Sequence, residues 1–436
     1  MRKLLMISYF YPPVNSMGAQ RSLGFSKYLP EFGWQPIVLS RNWAGHSEPA
    51  PSGVKVIYTQ YKDKLFLFRK GPLVCTRNEG DVIYEGIPIG EGRSGFLKKL
   101  KNRAYFYAHE VLDYPEESSG WMPNALDAGR KIIQEEKISA IFSTSSPVTS
   151  HIIAHRLKRE FHLPWIADFR DPWTQNPYAI HTRIRKYFDQ RLEIKIIKTS
   201  DLIVVISEPF AELMNKLHHR VAEVIPNGFD PPSYPTHPIP QNDCFTMTFV
   251  GNIYGGRRNP LPLFSAIREL MDEKIFGQPD IEIRFYGAEK GFIQRWAAAS
   301  NILNVVKCYD KISYQESLLK QQESTVLLLL RWDATEEKIS ISGKLFEYLG
   351  ARRPVLSMPR IDGPSDDLIR KTNAGVIAGN KEEVKDQLKK WFLEFREKGY
   401  LPYHGQEEMI RQYTRKKQTE QLAYWLDKVC SSNKKV

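Results

Sequence analysis

Short apolar runs separated by amphipathic stretches set the plan of this chain. In the first half, strand candidates fall at Lys3–Tyr9, Gln35–Ser40, Val54–Tyr58, Ala140–Thr144, Trp165–Ala167, Leu202–Ile206 and Glu223–Ile225. Helical periodicity fills several of the gaps, notably Asn124–Glu136, Val148–Glu160 and Ile184–Thr199. This alternation predicts a parallel sheet wound with helices on both faces. A second series follows a Pro-rich break, Pro231 to Pro240. Its strands are Phe245–Val250, Ile281–Phe285, Val305–Cys308, Thr325–Leu330, Pro354–Ser357 and Gly375–Ile377. The expectation is two α/β domains joined by the Pro-rich segment. A helical tail, Gln406 to Lys428, carries Tyr413, Leu422, Trp425 and Leu426. Those apolar side chains need a surface to pack on, and such a tail can cross back to the first domain.

Open parallel sheets bind ligands outside the carboxyl ends of their strands. The loops that follow strands therefore carry the candidate chemistry. After the first strand come Gly18 and Ala19, small enough for a backbone to approach a ligand, and Arg21 at the start of a helix. After Trp165–Ala167 come Asp168, Arg170 and Asp171 among Phe169, Pro172 and Trp173. These three are the candidate catalytic residues. Charges at the end of an apolar strand are costly to bury unless paired, so a structural Asp168–Arg170 pair is the simpler reading. After Phe245–Val250 come Gly251, Asn252, Gly255 and Gly256, then Arg257 and Arg258. Glycines beside two arginines suit a diphosphate, because guanidinium forks match phosphate oxygens. A basic surface turn is the alternative.

The most informative stretch is Ser342-Gly343-Lys344-Leu345-Phe346-Glu347-Tyr348-Leu349. It reads as a glycine-led turn entering a helix. At helical spacing Leu345, Phe346 and Leu349 share one side, and Lys344, Glu347 and Tyr348 the other. The free N–H groups of a helix start, with Lys344 beside them, suit a phosphate. Glu347, one turn on, can accept hydrogen bonds from a hydroxyl pair. Read as plain structure, Lys344 and Glu347 would be an exposed i,i+3 pair. The arginine pair and this helix follow strands of the same sheet, so both fall at one edge of the second domain. That convergence points to a nucleotide or nucleotide-sugar.

Length and charge narrow the picture further. A chain of 436 residues is too long for a single core. The formal net charge of +12 admits nucleic acid, anionic membrane or phosphorylated substrates. The positive charge is spread along the chain without a nucleic-acid-binding signature, so nucleic acid is not expected as a partner. Cys75, Cys244, Cys308 and Cys430 are scattered, with no zinc-type spacing. No stretch has the length of a transmembrane helix. The basic, apolar N-terminus soon meets Tyr9, Tyr11, Pro12 and Pro13, so it reads as a first strand rather than a signal peptide. A cytoplasmic protein is the expectation. Peripheral contact with the inner membrane face is the further option, because Phe96 to Leu112 reads as an amphipathic helix lined by Lys98, Lys99, Lys101 and Arg103; a helix that docks its apolar face on the first domain, with the bases in water, is the alternative. Asp366-Asp367 follows Gly363-Pro364-Ser365 and is expected to be exposed at a helix start.

The chain resembles the glycosyltransferase family 4 type of retaining glycosyltransferase. The resemblance is carried by Tyr11-Pro12-Pro13 and its small-residue loop, by Asp168-Phe169-Arg170-Asp171-Pro172-Trp173, and by Val205-Ile206-Ser207 followed by Ile225-Pro226-Asn227-Gly228-Phe229-Asp230. It continues through Val250-Gly251-Asn252-Ile253-Tyr254 and Gly343-Lys344-Leu345-Phe346-Glu347-Tyr348-Leu349, followed by Arg353-Pro354-Val355-Leu356. It implies the GT-B fold, two Rossmann-like doubly wound domains facing a central cleft, with a C-terminal helix crossing back to the first. Residues 1–228 plus 406–436 would form the acceptor-binding domain, with Gly18, Ala19 and Arg21 in its acceptor or diphosphate loop. Residues 229–405 would form the donor-binding domain, with Gly251, Asn252, Arg257, Arg258, Gly343, Lys344 and Glu347 around the donor.

The resemblance further implies that Glu347 holds the donor ribose and that Arg257 or Arg258 with Lys344 binds the diphosphate in place of a metal. The sequence departs from the family pattern at position 339, where Ile339 stands in place of a glutamate that faces the donor sugar. Glu336 and Glu337 lie nearby, out of register. A lysine expected after the arginines is also absent from Asn259-Pro260-Leu261-Pro262-Leu263. The expected activity is transfer of a hexose-type sugar from a nucleoside diphosphate donor to a hydroxyl acceptor. The setting is bacterial cell-surface polysaccharide or glycoconjugate synthesis, with no cofactor and an acceptor that can be lipid-linked. The alternatives are a nucleotide-sugar-binding protein without turnover and a nucleotide-sugar epimerase of the same fold.

Overall fold

The computed structural model describes residues 1–14, 17–43, 53–62, 107, 110–176, 181–234, 244–332 and 335–432. The expected membrane helix, 96–112, lies outside the described residues except for Tyr107 and residues 110–112. The chain divides into two units, Met1–Ile225 with Thr419–Val436, and Pro226–Gln418.

The first unit holds β1 (Arg2–Ser8), β2 (Trp34–Arg41), β3 (Lys55–Thr59), β4 (Ile138–Ser145), β5 (Trp165–Phe169), β6 (Leu202–Val205) and β7 (Ala222–Val224). They form one parallel sheet in the order β3-β2-β1-β4-β5-β6-β7. Alternate residues of a strand point to opposite faces, and here both faces are apolar and covered. Leu5, Ile7 and Ile141 pack with helices Met122–Glu136 and Thr149–Phe161 on one side. Leu4, Met6, Phe142 and Ile166 pack on the other.

That second face is covered partly by the C-terminal helix, Arg415–Ser432. Its Leu422, Ala423, Leu426 and Val429 join the Leu4 and Met6 cluster. Full burial of Leu422 and Leu426 contributes about 1.5–3 kcal/mol each, enough to hold the tail against the sheet. The tail is not one helix, however. A short helix, Glu407–Arg411, precedes the long one, and the chain bridges Thr414 to Phe229 between them. Tyr413 packs with Phe346 in the second unit. Residues 406–418 therefore stay with the second unit, and the chain returns to the first only from Thr419. The other boundary falls at Ile225–Pro226, ahead of the Pro-rich break. Tyr234, within that break, is anchored in the second unit by its hydroxyl, which donates to the Glu347 carbonyl at 2.8 Å.

The second unit holds β8 (Phe245–Val250), β9 (Ile281–Tyr286), β10 (Val306–Tyr309), β11 (Val326–Leu330), β12 (Val355–Met358) and β13 (Gly375–Ile377). Their order, β10-β9-β8-β11-β12-β13, is again wholly parallel. In both sheets the connections leave in opposite directions from two adjacent central strands, β1 and β4 in one and β8 and β11 in the other. Each pair is a topological switch point, where the loops diverge and leave a crevice.

Candidate functional site

The loop after β8 lies at the switch point of the second unit. Its backbone enters the left-handed region at Gly251 (φ 120°) and Tyr254 (φ 51°). The Glu289 carboxylate clamps the turn, accepting from the Ile253 and Gly255 N–H groups at 2.9 Å each. The turn carries Arg257 and Arg258 at its end. Arg257 lies 4.1 Å over the Trp332 ring and Arg258 lies 4.6 Å over Tyr254. Arg258 donates through Nη1 to the Asn252 carbonyl at 3.3 Å, while its buried Nε has no partner.

Across the switch point, helix Gly343–Ala351 starts from the loop after β11. Leu345, Phe346 and Leu349 are buried, as their spacing predicts, but so are Glu347 and Tyr348. Tyr348 is not on a polar face. Its hydroxyl donates to the Leu328 carbonyl at 3.1 Å and ties the helix to β11. Lys344 lies 5.4 Å over the Phe249 ring and runs directly above Gly251.

Glu347 is only 5% exposed, which removes the reading as a surface i,i+3 pair. Gln321 Nε2 donates to its Oε2 at 3.1 Å, and its Oε1 has no partner. Burial raises the Glu347 pKa, opposed by the Gln321 hydrogen bond and by the charges of Arg415 and Lys344. A buried carboxylate oxygen without a donor is rare in folded proteins and calls for an explanation. A ligand hydroxyl would supply the missing donor.

A buried chain of alternating charge supports the loop after β11, and sequence reasoning missed it. Asp366 pairs with Arg331 at 2.5 Å and also accepts from the Ile361 and Asp362 N–H groups at 2.9 Å. Arg331 stands 3.6 Å from Glu337, and Glu337 stands 3.9 Å from Arg258. Asp366 is therefore fully buried, against the expectation of an exposed pair, while Asp367 is exposed as expected. Arg331 needs a counter-charge because it follows the apolar β11 directly into the interior. That position was the available signal. Glu337, out of register with the family pattern, is buried beside Arg258, whereas Ile339 is half-buried.

The first unit tells a different story about its predicted residues. Asp168 does not pair with Arg170. Arg21 grips it through Nε at 3.2 and 3.0 Å and through Nη2 at 2.7 Å, and Thr144 Oγ1 donates to it at 2.7 Å. Asp168 is wholly buried and Arg21 nearly so. This carboxylate ties β5 to β4 and to helix Met17–Tyr28. Arg21 directs its Nε and Nη2 to Asp168. Arg170 turns instead to backbone carbonyls, donating to Ser145 at the end of β4 at 2.9 Å and to Gly18 in the first turn of helix Met17–Tyr28 at 2.7 Å. Gly18 thus takes part through its backbone and Ala19 is buried, while Asp171 is exposed.

Sequence reasoning also passed over His151, which is buried with Nδ1 2.8 Å from Ser143 Oγ and its ring 4.4 Å from Phe169. Its Nε2 has no partner, and burial pushes its pKa down to about 3. A lone histidine on a helix carries no sequence signal of this kind.

The two parallel-sheet, Rossmann-like units have the GT-B fold. Sucrose-phosphate synthase from Thermosynechococcus elongatus superposes with a TM-score of 0.63 at 12% identity, over 99% of this chain and 100% of that one. The HepE protein of Anabaena, solved with UDP and glucose, gives 0.58 at 12% identity, over 98% and 100%. The lipopolysaccharide outer core galactosyltransferase WaaB, in its apo form, gives 0.54 at 13% identity, over 98% and 99%. Residues 19–232 match the family Glycosyltransferase Family 4. No curated protein sequence matches the chain.

Proposed function

We propose that the protein is a retaining glycosyltransferase that moves a hexose-type sugar from a nucleoside diphosphate donor to a hydroxyl acceptor. The reading rests above all on Glu347 Oε1, a buried acceptor without a donor at the switch point of the second unit. A ribose hydroxyl fits it, with the diphosphate toward Lys344, Gly343, Gly251 and Asn252 and within reach of Arg257 and Arg258. These cations take the place of a divalent metal. The likeness to HepE, which was solved with UDP and glucose, supports this class of donor.

In the reaction, the bond from the sugar's anomeric carbon to the diphosphate oxygen breaks and a bond to the acceptor oxygen forms on the same face. The acceptor proton passes to the departing diphosphate. Preorganised cations stabilise the charge that develops on that leaving group, and this is the main catalytic contribution. The acceptor would bind in the first unit. Synthesis of a bacterial cell-surface polysaccharide or glycoconjugate, from the cytoplasm and on an acceptor that can be lipid-linked, is the setting this reading favours.

A binding protein without turnover is the second reading, favoured by Ile339 where the resemblance places a glutamate facing the donor sugar. Incubation with nucleoside diphosphate sugars separates the two. Release of free sugar and nucleoside diphosphate identifies the transferase. Saturable binding with no release over long incubation identifies the binder.

A further inference from the structure

Helix Arg183–Ile197 packs Ile196 and Ile197 into the core but also carries large apolar residues on its outer face. Its carboxylates face inward. Asp189 accepts from Arg185 Nε at 3.0 and 2.8 Å, and Glu193 accepts from the Thr174 N–H at 3.1 Å and from Thr174 Oγ1 at 2.5 Å. Arg185, Asp189 and Glu193 are all buried. Large apolar residues face outward instead: Ile184 is 73% exposed and Phe188 54%, with Tyr187 and Ile194 also exposed.

Around these the exposed charges are all of one sign. Arg183, Lys186, Arg191 and Lys195 are exposed, and Lys198 follows just beyond the helix end. The exposed positions of this helix carry no carboxylate. At 100° per residue, Ile184, Tyr187, Phe188, Arg191, Ile194 and Lys195 fall within one arc. A soluble helix puts its apolar stripe against the core and its mixed charges in water. This one packs Ile196 and Ile197 into the core and buries Arg185 with both acids, yet leaves Arg183, Lys186, Arg191 and Lys195 and a second apolar set, Ile184, Tyr187, Phe188 and Ile194, outside.

The patch extends onto a second segment. The Tyr114 hydroxyl donates to the Phe188 carbonyl at 3.4 Å, and Arg185 lies 4.8 Å over the Tyr114 ring. Arg185 also donates to the Glu110 and Pro115 carbonyls. Beside these contacts Val111 is 74% exposed, and Leu112 and Tyr114 are exposed too. Exposed apolar groups on two joined segments make a contiguous patch, which marks an interaction surface.

We infer that this face docks on an anionic lipid bilayer. Isoleucine, phenylalanine and tyrosine side chains suit the boundary between headgroups and acyl chains. Lysine and arginine stems lie along that boundary while their charges reach lipid phosphates. A nucleic acid would use the bases but has no place for Ile184, Ile194 and Val111. The inference does not depend on the glycosyl-transfer reading.

The test is co-sedimentation of the full chain with vesicles. Phosphatidylglycerol mixed with phosphatidylcholine is compared with phosphatidylcholine alone. The parent protein should bind the anionic vesicles, and binding should fall with added salt. Ile184→Ser combined with Phe188→Ser should lower partitioning by at least about tenfold. Arg191→Glu combined with Lys195→Glu should lower it by on the order of tenfold on anionic vesicles only. Phe188→Trp, which keeps the apolar surface, should bind at least as well as the parent. All substitutions lie on exposed positions, so unchanged circular dichroism accompanies the expected result. If the serine variant sediments like the parent, the inference fails. It fails equally if the parent does not bind anionic vesicles, or if light scattering shows the serine variant dissociating an oligomer, since the face is then an interface between copies.

Discussion

Lys344 occupies the space that a side chain at position 251 would need. A Cβ on Gly251 would stand 2.5 Å from Lys344 Cε and 2.7 Å from its Nζ. The glycine that follows β8 and the lysine in the first turn of the helix after β11 thus define one spot at the switch point. Replacing Gly251 by alanine must displace the ammonium and also strain the backbone at φ 120°, at a cost of about 1–3 kcal/mol. Gly255→Ala is the control, since its φ is 64° and nothing lies within 4 Å. Gly251→Ala should weaken nucleoside diphosphate binding about tenfold, through the lost cation–phosphate contact. Gly255→Ala should cost stability alone. Calorimetric titration of both variants checks this, and equal affinities would separate Lys344 from the ligand.

Glu347 should show opposite effects on binding and on stability. Burial raises its folded-state pKa, so its contribution to stability is complete below the unfolded pKa and is lost as pH rises through the folded one. At neutral pH its ionised form is therefore a net cost to the folded protein. Glu347→Gln should raise Tm at pH 7, with a smaller gain near pH 4. The same change should weaken nucleotide affinity by about 1–3 kcal/mol, because the charged acceptor for the ligand hydroxyls is gone. A variant that binds like the parent would remove Glu347 from the ligand site.

Donor binding and turnover should persist without divalent metal. On the proposed reading, Arg257, Arg258 and Lys344 offset the diphosphate charge in place of a metal. Assay after EDTA treatment, with and without added manganese, tests this. Loss on chelation and recovery with manganese would contradict it.

Asp168→Asn should act on stability before chemistry. The carboxylate is buried against Arg21 and Thr144, and removing one partner of a buried pair costs about 3–5 kcal/mol. Thermal unfolding should show a large fall in Tm. A variant with unchanged Tm and abolished turnover would restore Asp168 to a catalytic role.

His151 should make the fold acid-sensitive well above the usual carboxylate range. Its folded pKa, pushed down by burial to about 3, lies below the value near 6.5 expected in the unfolded chain. The unfolded state therefore binds the extra proton between those values. This contribution is complete above pH 6.5 and falls as pH drops toward 3, by up to about 1.4 kcal/mol per pH unit. His151→Gln should flatten the Tm-against-pH curve in that window. Parallel curves for parent and variant would overturn the assignment.

The run and spacing of apolar residues determined by themselves that the chain makes two parallel α/β sheets. Each of the thirteen expected strands is present with small shifts at its ends. Strands such as Val326–Leu330 are buried on both faces, so their composition alone marks them. The sequence also placed Arg257, Arg258, Lys344 and Glu347 after β8 and β11, because strand order follows from the rules of winding. What it could not decide was which charges meet. Asp168 meets Arg21, 147 residues away in sequence, rather than Arg170 two residues on. Asp366 is drawn inside by Arg331 while its neighbour Asp367 stays in water. A buried charge must find a counter-charge, and only the packed sheets decide which one is in reach. The same holds for the outer face of helix Arg183–Ile197. Its acids turn inward to meet Arg185 and Thr174, and the exposed positions are left with Arg183, Lys186, Arg191 and Lys195 beside Ile184, Tyr187, Phe188 and Ile194.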